Sequence, residues 1–386
     1  MSVNRVVLNE TSYFGFGSRS VLADEIKTRG FKKILVVTDK DLVKFHVVDQ
    51  VTAVLDDAGI AYQVFSDVKQ NPTVKNVKDG LAALKVSGAE ALLGVGGGSV
   101  IDTAKAIGII ATNPEFADVV SLEGVAATKS AGLPLIALPT TAGTAAEVTI
   151  NYVITDEHNR KKMVCVDPHD IPVVAIVDAE LMMSMPASLA AATGMDALTH
   201  AIEGYTTRGA WAMTDIFEVR AIELIAEHLE ASVKDAGNKA AREGMALAQY
   251  VAGMGFSNVG LGIVHSMAHP LGAFYDIPHG VANALLLPTV MEFNAPATGE
   301  KFRTIARAMG VSGVEKMSLA EARQAAVAAV RDLAQCVSIP QKLGALGVKA
   351  ADLEDLALAA FNDVCTPGNP RDVTAADILA LYRKVF

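Results

Sequence analysis

Asp196 and His200 stand four residues apart in a helical window, Leu189 to Ala201. That spacing puts a carboxylate and an imidazole on one helix face. His265 and His269 repeat the interval, and His279 follows in Ile277-Pro278-His279-Gly280. One carboxylate with several imidazoles is a donor set for iron(II) or zinc. With a coordination position left open, such an ion can polarise a carbonyl oxygen. Spacing alone does not choose among the histidines: His265 could pair with His269 or with His279. A histidine left over could carry a proton. His46, His158, His169 and His228 lack such company and read as ordinary surface or core residues.

A second group of residues fits a nucleotide. Gly96-Gly97-Gly98-Ser99 lies between an apolar run and a helical window beginning near Val100. Glycines let a backbone approach phosphate closely, and a helix N-terminus offers free N–H groups. Ser99 can cap that helix or bind the phosphate. The alternative is a tight strand-to-helix turn. The loop does not match the dinucleotide fingerprint Gly-x-Gly-x-x-Gly, and the best acidic residue, Asp39, precedes the glycines instead of following them. A nucleotide site is therefore expected in a differently wired fold. Asp39 ends an apolar run, where it could bond ribose hydroxyls and repel a 2′-phosphate, or merely cap the next helix. Pro139-Thr140-Thr141-Ala142-Gly143-Thr144 supplies hydroxyls and small residues after another apolar run.

The elements needed to hold these groups follow from periodicity. Lys33–Asp39, Tyr62–Phe65, Ala91–Val95, Pro134–Leu138 and Val173–Val177 read as short strands. Helical spacing fills about Asp41 to Asp57, then the stretch after Thr73, a candidate N-cap, and the stretch after the glycine loop. This alternation predicts a mostly parallel sheet covered by helices. Glu147–Thr155 and Lys161–Val166 flank a polar turn and read as an inserted hairpin. Beyond Met185-Pro186, Ala-rich helical windows dominate. The expected fold is an α/β nucleotide-binding domain, residues 1–185, followed by an all-α domain, residues 186–386, that carries the metal.

Composition narrows the partners. A net charge of −10 over 386 residues argues against nucleic acid. The three cysteines are far apart and odd in number, which fits a reducing cytoplasm better than a disulfide framework. The N-terminal stretch has no signal-peptide pattern, and no apolar run reaches membrane-spanning length, so neither secretion nor a membrane is expected.

The segments Gly96–Ser99 with Asp102, 139–144, 192–203, Gly260–Gly272 and 277–280 resemble the iron-containing alcohol dehydrogenase family, and the likeness spans essentially the whole chain. The stretches 145–156, 205–212 and 253–258 are most similar to the branch of that family acting on lactaldehyde and 1,2-propanediol. The resemblance implies a fold of the dehydroquinate synthase-like type with the metal between two domains. It implies iron(II), or zinc, on Asp196, His200, His265 and His279, with His269 as a proton relay. It implies NAD(H) lined by Asp39, Asn71, Gly97, Gly98, Ser99, Thr140, Thr141, Thr144, Thr149, Lys162 and Met182. A small aldehyde or alcohol would meet Asn151, Phe256, Leu261 and Cys365, and the chain would form a homodimer assisted by its N-terminal strand. Rival readings are a zinc-dependent glycerol-type dehydrogenase, a dehydroquinate synthase-like lyase, which would need basic residues not seen beside the histidines, and a non-catalytic nucleotide and metal binder.

Overall fold

The computed structural model describes residues 3–386. The chain divides into two compact units, one running to Thr141 and resuming over Ala145–Ser184, the other comprising Ala142–Thr144 and Met185–Phe386.

The first unit is built on strands β1 (Thr11–Phe14), β2 (Lys33–Asp39), β3 (Ala61–Val68), β4 (Ala91–Gly96), β5 (Leu135–Pro139), β6 (Asn151–Asp156), β7 (Lys161–Val166) and β8 (Val174–Val177). Its helices are α1 (Leu22–Thr28), α2 (Lys40–Lys44), α3 (Asp49–Asp57), α4 (Val74–Ser87) and α5 (Gly98–Thr112). Six strands form one parallel sheet in the order β1-β8-β5-β4-β2-β3. β4, β5 and β8 are buried at every residue, as expected for parallel strands covered on both faces. Successive residues of β2 alternate between the two sides. Ile34 and Val36 join one apolar cluster with Val51, Leu55 and Leu93, while Leu35 and Val37 join another with Val77, Ile107 and Leu92. β6 and β7 form a separate antiparallel hairpin, in register from Asn151↔Val166 to Asp156↔Lys161.

Leaving β1 aside, the winding order is second-first-third-fourth-fifth. It is the flavodoxin-like order, not the dinucleotide-binding one. The glycine loop follows the third strand of the winding, and Asp39 ends the first. This explains why Asp39 precedes the glycines in sequence. β2 and β4 are neighbours at the point where the winding reverses, the place where open α/β sheets bind ligands.

Two expectations about local structure need correction. The single helix read from Asp41 to Asp57 is two, α2 and α3. The chain leaves α2 through His46 in the left-handed conformation (φ 59°), with the Val47 N–H returning to the Leu42 carbonyl, the bonding of a Schellman ending. The helix after the glycine loop begins at Gly98, not near Val100. Its N-cap is Gly97, so Ser99 lies in the first turn and does not cap it. Thr73 does cap α4, its hydroxyl accepting from Asn76 N–H while the Asn76 amide oxygen accepts from Thr73 N–H at 3.1 Å.

The second unit holds α6 (Ala187–Thr206), α7 (Ala212–Lys234), α8 (Lys239–Val259), α9 (Ile263–Tyr275), α10 (His279–Asn294), α11 (Lys301–Ala308), α12 (Leu319–Cys336), α13 (Leu353–Phe361) and α14 (Ala375–Val385). α6 is buried along almost its whole length from Ala190, so it forms the centre of the helical packing. No single described helix is long and apolar enough to cross a membrane. α8 and α9 pass that test only as a pair bent by 101°.

Candidate metal and nucleotide sites

The i, i+4 and i+7 positions Asp196, His200 and Glu203 share one stripe of α6. α9 contributes His265 and His269, and α10 begins at His279. Gly280 lets α10 come against α6 here: a Cβ would stand 2.4 Å from the Ala192 carbonyl oxygen and 3.3 Å from the Asp196 Cβ. Of the two pairings that spacing left open, the fold groups His265 with His279. Asp196, His200, His265 and His279 each present one ligating atom, and these atoms lie within 4.8 Å of one another. His269 stands outside that set. Its ring stacks on His279 with centroids 5.5 Å apart.

The surroundings prepare these donors for a cation. His265 Nδ1 donates to Glu203 Oε2 at 2.7 Å, which leaves the Nε2 lone pair facing the cluster. Glu203 is itself fixed, accepting from Val264 N–H at 2.7 Å and from His265 N–H. Burial first, and then the neighbouring His265 and His269, hold the His200 imidazole well below its ordinary pKa, so it is neutral. Three imidazoles, one buried carboxylate and a carboxylate behind a histidine fit a divalent ion such as iron(II) or zinc.

His269 belongs to a second arrangement. Its Nδ1 donates to Asp363 Oδ2 at 2.8 Å, and Cys365 N–H donates to Asp363 Oδ1 at 2.9 Å. Burial alone would raise the Asp363 carboxyl, but the neighbouring His269 and these hydrogen bonds outweigh it and hold it below the ordinary value. Phe256 stacks on His200 with centroids 4.2 Å apart, and Leu261 lies in the link between α8 and α9. These, with Cys365, are the expected substrate-pocket residues that this unit carries.

In the first unit, Asp39, Asn71, the glycine loop, Thr140-Thr141 and Met182 all lie at or beyond the C-terminal ends of parallel strands. Thr140 N–H donates to the Gly96 carbonyl at 3.1 Å. A Cβ on Gly97 would stand 3.2 Å from the Thr141 side chain, so the loop is narrow at that point. Asp39 does act as an N-cap, its Oδ1 accepting from Leu42 N–H at 2.8 Å. Burial lifts its carboxyl above the ordinary value, against the pull of the Leu42 and Asp41 N–H groups. Lys162 Nζ donates to Asn71 Oδ1 at 2.7 Å, joining two expected cofactor residues. Thr149 and the Asn151 backbone are engaged within the unit. The buried Lys105 donates to the Thr149 carbonyl and hydroxyl and to the Asn151 carbonyl, at 2.5, 3.0 and 2.8 Å. Thr144 belongs to the short segment carried by the second unit.

Sequence reasoning missed Glu203, Asn283, Asp363 and Lys105. The helical interval from Asp196 and His200 could have found Glu203, and the interval from His279 could have found Asn283. Asp363 sits outside any periodic element, 94 residues from its partner His269.

The comparisons agree with this geometry. Residues 9–179 match the model for iron-containing alcohol dehydrogenase, and residues 190–386 match the C-terminal model of the Fe-containing alcohol dehydrogenase family. Lactaldehyde reductase of Escherichia coli (strain K12) is 62% identical over 383 residues, covering 99% of this chain and 100% of that protein. The 1,3-propanediol dehydrogenase of Klebsiella pneumoniae is 43% identical, covering 97% of each. A solved 1,3-propanediol oxidoreductase superposes with a TM-score of 0.96 at 42% identity, covering 100% of both chains. Fold and kinship converge: the chain belongs to the iron-containing alcohol dehydrogenase family and is an alcohol/aldehyde oxidoreductase.

Proposed function

We propose that the protein interconverts a small aldehyde and its alcohol, lactaldehyde and 1,2-propanediol first among them, using NAD(H) and a ferrous ion, with zinc as the other ion the donor set accepts. The observation that carries this reading is the quartet Asp196, His200, His265 and His279, its first three members buried and His279 half-buried, with its ligating atoms within 4.8 Å. Its support for lactaldehyde is the 62% identity to the Escherichia coli lactaldehyde reductase.

A bound ion would supply Lewis acidity toward the substrate oxygen, and the nicotinamide would supply hydride chemistry. The chain's own residues do the rest. Glu203 holds the His265 tautomer. Asp363 holds the Nδ1 proton of His269, which leaves Nε2 as the atom that accepts or releases a proton. Phe256 covers His200 with an apolar face. The first turn of α5 offers N–H groups to a pyrophosphate, and the Asp39 carboxylate favours ribose hydroxyls over a 2′-phosphate. A homodimer belongs to the same proposal, supported by the position of β1 at the edge of the sheet, as does a cytoplasmic location, in keeping with three cysteines that form no disulfide.

The test is loss of NADH absorbance by anaerobically iron-loaded protein with lactaldehyde, glycolaldehyde and glyceraldehyde. Turnover fastest with lactaldehyde supports the proposal. No NADH consumption with any small aldehyde ends it.

A further inference from the structure

Asn283 lies one helical turn after His279 on α10 and is fully buried. Its Nδ2 stands 2.7 Å from Asp196 Oδ1, 3.1 Å from His265 Nε2 and 3.1 Å from His279 Nε2. Three of the four proposed metal ligands therefore converge on one amide nitrogen. That nitrogen carries two hydrogens and can serve two acceptors, not three. On the other side of the same amide, Oδ1 is buried and has no hydrogen-bond partner among the described residues. A buried unsatisfied carbonyl is costly, and natural structures seldom keep one without a reason. The amide is thus over-subscribed at its donor end and idle at its acceptor end.

A divalent cation relieves the crowded donor end and gives the idle acceptor a partner, leaving the Nδ2 hydrogens in the place Oδ1 now occupies. Once the ion takes the Asp196 and histidine lone pairs, those atoms no longer accept from Nδ2, and an N–H group facing the ion is repelled. Turning the amide about its last side-chain bond exchanges Nδ2 for Oδ1, a hard oxygen donor of the kind such ions accept.

We infer that Asn283 is a working part of the metal centre: its Nδ2 holds the ligands together before the ion arrives, and its Oδ1 faces the centre once the ion is bound. The inference rests on the metal centre proposed above. It gives Asn283 a role that a space-filling residue could not have, because its two ends serve two different states.

Zinc alone is the probe, titrated into chelator-stripped protein against a chromophoric chelator, with thermal midpoints recorded before and after saturation. Wild type comes first. If it takes up no zinc, the metal-centre reading itself fails. Asn283→Ala removes both ends of the amide and should weaken zinc binding about tenfold or more. Asn283→Asp keeps the shape but sets a second carboxylate beside Asp196. It should lower the zinc-free midpoint below wild type, yet gain more on zinc saturation than wild type gains. Two results would overturn the inference while leaving the metal centre intact. One is Asn283→Ala holding zinc within about twofold of wild type. The other is Asn283→Asp losing the same amount of stability with and without zinc. Should the alanine variant fail to fold, the aspartate variant decides alone.

Discussion

Replacing Glu203 with glutamine should loosen the metal centre while leaving the fold in place. The carboxylate accepts from His265 Nδ1, from Val264 N–H and from His265 N–H. Glutamine has the same shape but only one acceptor oxygen. If that oxygen serves Val264 N–H, the amide NH2 confronts His265 Nδ1. His265 must then carry its proton on Nε2, the atom that faces Asp196 and His279. Losing a carboxylate behind a metal-bound histidine typically costs 10–100-fold in affinity, about 1.4–2.7 kcal/mol. Exchanging charge-assisted for neutral hydrogen bonds at the buried N–H groups costs roughly a further 1–2 kcal/mol of fold stability. Chelator competition with zinc measures the first effect, and denaturant unfolding of the zinc-free protein measures the second. Zinc affinity unchanged within about twofold would show that Glu203 does not set the His265 tautomer, and the reasoning about the centre would be wrong.

Asp39→Gly should raise activity with NADPH relative to NADH, and exchanging one N-cap for another should cost only about 0.3 kcal/mol of stability; an unchanged cofactor ratio would leave Asp39 only its bond to Leu42 N–H. His269→Ala should keep the bound ion and lose most turnover, since His269 lies outside the ligand quartet; metal analysis showing the ion gone would make it a ligand instead. Glu218 is wholly buried, and neither of its oxygens finds a partner among the described residues, so burial lifts its carboxyl well above the ordinary range. The folded chain holds a proton there that the unfolded chain releases at lower pH, so this group's cost to stability grows as pH rises above the unfolded value. Glu218→Gln should therefore raise the thermal midpoint by more at about pH 8 than at about pH 5; a gain that does not change with pH would refute the assignment.

Most of the parallel sheet was legible because β2, β4, β5 and β8 are short, nearly continuous apolar runs. Asp196-x-x-x-His200 was legible because helical spacing is periodic. The break between α2 and α3 was hidden: Phe45 and His46 carry no Gly or Pro, and the turn depends on His46 adopting the left-handed conformation. The grouping of His279, and not His269, with Asp196, His200 and His265 was not in the spacing either. It depends on α10 approaching α6 at Gly280, a contact between residues more than 80 positions apart. Lys105 lies inside an apolar helical stretch and reads as an anomaly there. Only the folded chain shows its ammonium group bonded to Thr149 and Asn151. The same limit applies to Asp363 and Asn283, whose roles come from tertiary neighbours.

The proposed function requires one divalent ion on Asp196, His200, His265 and His279. Elemental analysis of anaerobically purified, iron-reconstituted wild type beside His279→Ala and Asp196→Ala measures this most directly. The prediction is one ion per chain in wild type and a clear loss in both variants, with the fold retained by circular dichroism. Full iron content in either variant would contradict it.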